Sequence, residues 1–209
     1  MKILRVHPTS IDERAIAEAV DALQRGEIIV YPTDSVYALG CDALNNRAIE
    51  RLCRLKGINP ERNMLSIVCD GLSQAATYAK IDNRAFAMLR QYLPGAVTFV
   101  LPAATTLPKV FKGRKQVGIR IPDSPVALRL AEALGNPLMT TSISVAPEIE
   151  DAGEMDVEAL EGVFGRTPEI TLALDAGPSG LRYTTVVDLT DSTTPAIIRD
   201  GIVDVPEAS

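Results

Sequence analysis

The chain has 209 residues, 46% of them hydrophobic and 23% charged, with 4% aromatics and no Trp. It is long enough for one aliphatic-cored domain over 1–209 but poor in the aromatic platforms that stack single-stranded nucleic acid. A net charge of −6 disfavours general DNA or RNA binding, three Cys without a CxxC pair give no disulfide framework, and a single His excludes a His-based triad or a multi-His metal site.

In chain order, the first stretch, MKILRVHPTSIDERA, has too short an apolar run for a signal peptide, and no later run approaches a membrane span, so a cytoplasmic protein is expected. Ser10 is placed to cap a helix over 11–25 that Gly26 ends. EIIVY, 27–31, reads as a buried strand stopped by Pro32. Asn46 is placed to cap a helix over 47–56, and the Gly and Asn-Pro of 56–64 make a loop. MLSIVC, 64–69, is a short strand, followed by helices over 71–79 and 82–92, the second capped by Asp82 and closed by Pro94-Gly95.

Strands are predicted at 96–102 and 117–122, joined by a basic connection carrying Lys109, Lys112, Arg114 and Lys115. Ser124-Pro125 opens a helix that Gly135 stops, and PLMTTSIS, 137–144, is a strand with a hydroxyl-rich end. An acidic loop, 145–155, and a helix, 156–164, precede strands at 170–175, 184–190 and 196–201. Strands alternating with helices imply a mixed, largely parallel sheet covered by helices.

Several strands end in hydroxyl or basic groups: Thr33, Asp34 and Ser35 after the strand 27–31, Thr140 to Ser144 after 137, Arg120 and Arg199. Ligands of open α/β sheets bind beyond the carboxyl ends of strands, and Arg, Lys, Ser and Thr together suit an anion that carries neutral polar groups. Each motif alone has a plainer reading. PTDS makes a turn, TTSIS has β propensity, Lys109 to Lys115 form a solvated loop, and Arg199-Asp200-Gly201 is a common turn. Walker A and GxGxxG patterns are both absent, so a nucleotide would be held by side chains and strand-end amides.

YPTDSVYALGCD resembles the PT(E/D)TVYGLG signature of the YrdC-like family. Leu55-Lys56, PGAVTFVLP, VGIRIPDSP, PLMTTSIS, TTVVDLT and IIRDG follow in the family's order, from about residue 10 to 201. The resemblance implies an α+β fold, a YrdC/RibB-like twisted mixed sheet flanked by helices, with a concave basic cavity. It implies a threonylcarbamoyl-AMP synthase, which joins L-threonine, bicarbonate and ATP, releases pyrophosphate with Mg²⁺ present, and serves N6-threonylcarbamoylation of adenosine 37 in tRNA.

Carried over residue by residue, the resemblance puts Thr33, Arg120, Thr140 and Thr185 around L-threonine. It puts Lys56, Arg62, Ser142, Ser144 and Arg199 around the nucleotide, with Lys56 and Arg62 as the catalytic cations. Two positions depart from the family. Its Lys-x-Arg is Lys56-Gly57-Ile58 here, and its Ser-x-Asn is Ser142-Ile143-Ser144. YPTDSVYALGC, NMLSIVCDGLSQAATYA and VVDLTD are closer to the YciO-like branch, which makes a nucleotide-binding or double-stranded-RNA-binding paralogue with little synthase activity the alternative. The sequence carries no counterpart of the extra C-terminal domain found in some family members.

Overall fold

The computed structural model describes residues 1–59, 63–104, 107, 115–143 and 154–206. Strands β1 (Lys2–Arg5), β2 (Ile28–Tyr31), β3 (Ala38–Asp42), β4 (Ser66–Val68), β5 (Val97–Pro102), β6 (Gln116–Arg120), β7 (Leu138–Ser142), β8 (Ile170–Asp175), β9 (Thr185–Asp188) and β10 (Ala196–Arg199) form one ten-stranded sheet. Their order is β1-β8-β2-β3-β7-β4-β6-β5-β9-β10. The helices are α1 (Glu13–Gln24), α2 (Asn46–Leu55), α3 (Leu72–Tyr78), α4 (Asn83–Tyr92), α5 (Pro125–Leu134) and α6 (Val157–Phe164).

Local chemistry sets the helix ends. Asp82, Ser124 and Asp156 each accept a backbone N–H of the first turn, and Pro125 begins α5 where its missing donor costs nothing. Gly135 closes α5 in the left-handed region at φ 72°. Two expected caps move. Asp12 rather than Ser10 caps α1, and Asn45 rather than Asn46 caps α2, because these side chains reach the N–H groups of Arg14 and Ala48.

The sheet is mixed but not largely parallel. The β1–β8, β2–β8, β4–β6 and β5–β9 pairs are parallel, whereas β2–β3, β3–β7, β4–β7, β5–β6 and β9–β10 are antiparallel. The difference comes chiefly from β3, which the sequence pattern does not mark as a strand and which is antiparallel to both its neighbours. β3 lies inside the polar signature motif, where ALGCD pairs with both β2 and β7.

Strand alternation divides the sheet into two unlike faces. One carries Ile67, Phe99, Ile119, Met139 and Val187 into the larger apolar core, beneath Ile49 and Leu52 of α2 and Leu89 of α4. On the other face, Ile29, Tyr31, Leu172 and Leu174 pack beneath α1 and α5 in a second core. That cover stops short of the sheet's far half. Past Val68 and Leu138, the same face turns from aliphatic to hydroxyl and basic, and there a cavity opens.

Candidate functional site

The cavity has a volume of about 500 Å³. Its lining follows from sheet register. Ser66 pairs with both Gly118 and Thr140, and Val68 pairs with Arg120. Thr98 pairs with Val186, which is also opposite Arg199. Residues that are paired, or two apart on one strand, share a face, so Ser66, Arg120, Thr140, Ser142, Thr98, Val186 and Arg199 are brought together. Thr141, Thr184, Met64 and Ile198 complete the described lining. It holds two guanidinium groups, six hydroxyls and, among the described residues, no carboxylate.

Arg120 forms the floor and is only 4% exposed. Its Nη2 donates to Asp34 Oδ1, to Ser35 Oγ at 2.8 Å and to Thr33 Oγ1 at 3.2 Å. The buried Nε has no hydrogen-bond partner. Asp34 is anchored in turn, since Asp123 N donates to its Oδ2 at 2.8 Å. The signature loop is folded around this cation. Thr33 Oγ1 accepts from Ser35 N at 3.1 Å and donates to Val36 O at 2.7 Å. Tyr37 turns away, donating to Gly177 O at 2.7 Å and accepting from Ala176 N at 3.1 Å. Thr33, Asp34, Ser35 and Tyr37 line a separate cleft of about 280 Å³ behind the loop.

Thr140 is oriented by Tyr31, whose hydroxyl lies 2.7 Å from Thr140 Oγ1. Tyr31 is on β2 and Thr140 on β7, with β3 between them. The ring crosses β3 over Gly40, where a Cβ would lie 2.6 Å from Tyr31 Cε1. A glycine is therefore needed there for space, and burial raises the Tyr31 phenol to about 12.

Arg199 stands at the rim on β10. Its Nε and Nη2 donate to Thr184 O at 3.1 and 2.9 Å, and Nη2 reaches Thr184 Oγ1 at 3.0 Å. Its guanidinium carbon lies 5.5 Å from the centre of the Tyr183 ring. Gly201 makes this approach possible, because a Cβ there would meet backbone atoms of Thr184 and Thr185 at 2.3 Å.

The structure thus gathers Arg120, Thr140, Ser142 and Arg199 around one cavity. Thr33 is placed differently: it touches Arg120 but lines the rear cleft. Thr185 is on the wrong side of its strand. It is 1% exposed on the core face and donates to Val203 O, while Thr184 and Val186 face the cavity. Lys56 caps the end of α2, half-buried and outside the cavity lining, and burial pulls its ammonium below the usual lysine value. Arg62, Ser144, Lys109, Lys112 and Arg114 lie outside the described residues. Inspecting strand ends alone overlooks Ser66, Thr98 and Thr184. Their signal is a hydroxyl alternating with apolar residues inside a strand, as in Val97-Thr98-Phe99.

Comparison with known proteins shows the family. Residues 21–201 match the Sua5/YciO/YrdC family, described as telomere recombination. Escherichia coli K12 YciO is 37% identical over 202 residues, covering 96% of this chain and 95% of that one. The crystal structure of E. coli YciO superposes with a TM-score of 0.87 over 98% of each chain, at 34% identity. A Pyrococcus abyssi threonylcarbamoyl-AMP synthase is 30% identical over 91% of this chain and 55% of its own length. The crystal structure of P. abyssi Sua5 complexed with L-threonine superposes with a TM-score of 0.83 at 28% identity, over 96% of this chain and 58% of that one. This chain therefore spans little more than half the length of the Pyrococcus protein, but nearly all of YciO. By sequence and by fold, it belongs to the Sua5/YciO/YrdC family.

Proposed function

We propose that the cavity binds a nucleotide together with L-threonine, and that the chain is a threonylcarbamoyl-AMP synthase of low turnover. The observation that carries this reading is the cavity lining itself: two guanidinium groups and six hydroxyls, with no carboxylate among the described residues. Such a lining suits ligands that bring their own negative charge. Relatives named threonylcarbamoyl-AMP synthase, and the likeness to a Sua5 structure holding L-threonine, supply the chemistry.

In this reading Arg120 and Thr140 hold the amino acid at the floor, while Ser142 and Arg199 hold phosphate oxygens at the rim. Bicarbonate and the threonine amine condense to a carbamate, an N–C bond forming as a C–O bond of bicarbonate breaks and water leaves. One carbamate oxygen attacks the α-phosphorus of ATP, forming a P–O bond as the bond from the α-phosphorus to the bridging oxygen breaks and pyrophosphate leaves. Bringing two anions together is the difficulty, and fixed cations address it by placing charge where it develops. Among the described residues no group of three or more His, Cys, Asp or Glu is placed to hold a metal ion, so Mg²⁺ would enter with the triphosphate. The product would feed N6-threonylcarbamoylation of tRNA.

A specific observation favours a second reading, that of a YciO-like nucleotide- or RNA-binding protein without synthase turnover. Ile58 occupies the position where the resemblance places an arginine, and it packs against the larger core. An arginine is then lost from the Lys-x-Arg pair, and its replacement is held among apolar side chains. The test is pyrophosphate release from ATP and bicarbonate, with and without L-threonine, beside an established synthase. Threonine-dependent release well below that of the reference enzyme is expected. Retained AMP binding with no threonine-dependent release would select the second reading, and absence of both would reject the nucleotide site.

A further inference from the structure

Ile198 and Arg199 are consecutive in β10, yet both line the cavity. A regular strand would send them to opposite faces. The register explains the exception. Ile197 pairs with Val187 and Arg199 with Val186, so β10 advances two residues while β9 advances one. Ile198 is the extra residue of a β-bulge, and bulges re-aim side chains in this way.

What the bulge presents is unusual for a polar cavity. Ile198 is 56% exposed, the largest exposure among the large hydrophobic side chains described. It shares the lining with two other apolar residues, Met64 and Val186, both half-buried. Arg199, beside it, is already held by Thr184 and by the Tyr183 ring. The rim therefore offers an apolar wall directly next to an oriented cation. A ligand matched to both has a broad apolar face joined to an anion, whereas the methyl of an amino acid such as threonine is too small to cover three aliphatic side chains.

Building on the nucleotide reading above, we propose that Ile198, with Val186 and Met64, is the seat of the nucleotide's heteroaromatic base, and that the bulge in β10 sets this seat beside the phosphate-binding Arg199. Base recognition here rests on apolar contact with a ring face, so it discriminates nucleotides from bare phosphate esters.

The test is calorimetric titration of the full chain and of Ile198→Thr and Ile198→Val with AMP and with ribose 5-phosphate, which keeps the sugar and phosphate but lacks the base. Threonine retains the β-branch and strand preference of isoleucine, so the edge strand should persist. Wild type is expected to bind AMP more tightly than ribose 5-phosphate. Ile198→Thr, which removes a methylene and replaces a methyl by a hydroxyl, should lose about tenfold in AMP affinity, with ribose 5-phosphate unchanged. Ile198→Val, which removes one methylene, should lose no more than about fourfold in AMP affinity. If Ile198→Thr binds AMP as wild type does, or loses both ligands equally, the seat is elsewhere and the nucleotide reading survives. If wild type binds neither ligand, the nucleotide reading fails and this inference fails with it.

Discussion

The two arginines of the cavity are held in opposite ways. Arg120, at the floor, faces a buried carboxylate and two hydroxyls and is only 4% exposed. Arg199, at the rim, is held by a carbonyl, a hydroxyl and an aromatic face, all neutral. Asp34 therefore cancels the charge of the floor, leaving Arg199 as the cation that makes the described lining net positive. This suits a division of labour. A floor of near-zero charge fits a zwitterion such as an amino acid, and a cationic rim fits phosphate. It also assigns different failures to the two arginines: breaking the buried Asp34–Arg120 pair should damage the fold, whereas removing Arg199 should damage binding.

The largest expected effect is at the floor. Asp34→Ala would leave the Arg120 charge buried without a counter-ion, and breaking such a pair costs about 3–5 kcal/mol. The unfolding midpoint in urea should fall accordingly. Removing both partners, as Asp34→Ala with Arg120→Met, should recover most of that loss because no lone charge remains. A midpoint for the single variant within error of wild type would show that water reaches Arg120 and that the floor is not sealed.

Next in size is an alkaline transition from the residue that supports the floor's neighbour, Thr140. The Tyr31 phenol is raised from 10.0 to about 12, chiefly by burial. The folded state thus binds the phenolic proton more tightly than the unfolded state, so the stability contribution is whole below pH 10. It declines as pH rises through the folded value and is absent above it. A rise from 10.0 to about 12 corresponds to about 3 kcal/mol. Tyr37 is also raised to about 12 by burial, so absorbance near 295 nm should show the signal of both residues titrating late, Tyr31→Phe should remove one share of it, and wild-type stability should drop over pH 10–12. Ionisation of all tyrosines near pH 10 in protein that stays folded would contradict the burial of this hydroxyl.

At the rim, Arg199→Ala should weaken AMP binding tenfold or more, since a hydrogen bond to a charged group contributes about 1.5–3 kcal/mol. Its urea midpoint should move little, because the only described partners lost are the Thr184 oxygens and the Tyr183 ring. A variant that binds AMP as wild type does would remove Arg199 from the site. One that unfolds as readily as Asp34→Ala would erase the distinction between floor and rim.

How much of this was legible in the sequence follows from the physics of each element. Strands 170–175 and 196–199, the caps Asp82 and Ser124 and the stop at Gly135 could be read directly, because each depends on residues a few positions apart. β3 was hidden, since its polar flank reads as a turn and its partners β2 and β7 are set only by tertiary pairing. Arg120, Thr140, Ser142 and Arg199 could be nominated from strand ends and from the family resemblance. Their convergence could not, because it depends on a strand order that brings Ser66 and Thr140 opposite each other from distant segments. Thr184 and Thr185 show the limit most sharply. Two adjacent threonines look alike in sequence, and only strand phase puts one in the cavity and the other in the core.

The smallest effect expected here probes the contact between the helix-covered half of the sheet and the open half. Tyr31 belongs to the apolar core beneath α1 and α5, but its hydroxyl crosses Gly40 to meet Thr140 in the cavity. Tyr31→Phe removes that bond while keeping the ring and its packing. Were Thr140 sealed in, its orphaned hydroxyl would carry a full desolvation penalty. Because Thr140 lines the cavity, the hydroxyl can rotate toward water, so the cost should stay near the net value of one hydrogen bond, about 0.5–1.5 kcal/mol. The consequence for binding is more specific. Thr140 loses the group that fixes its rotor, so L-threonine affinity should fall while AMP affinity, governed by the rim, should hold. Urea unfolding and paired calorimetric titrations would read both. A stability loss above about 3 kcal/mol would mean that the hydroxyl is not open to solvent. Equal losses for the two ligands would mean that floor and rim act as one site.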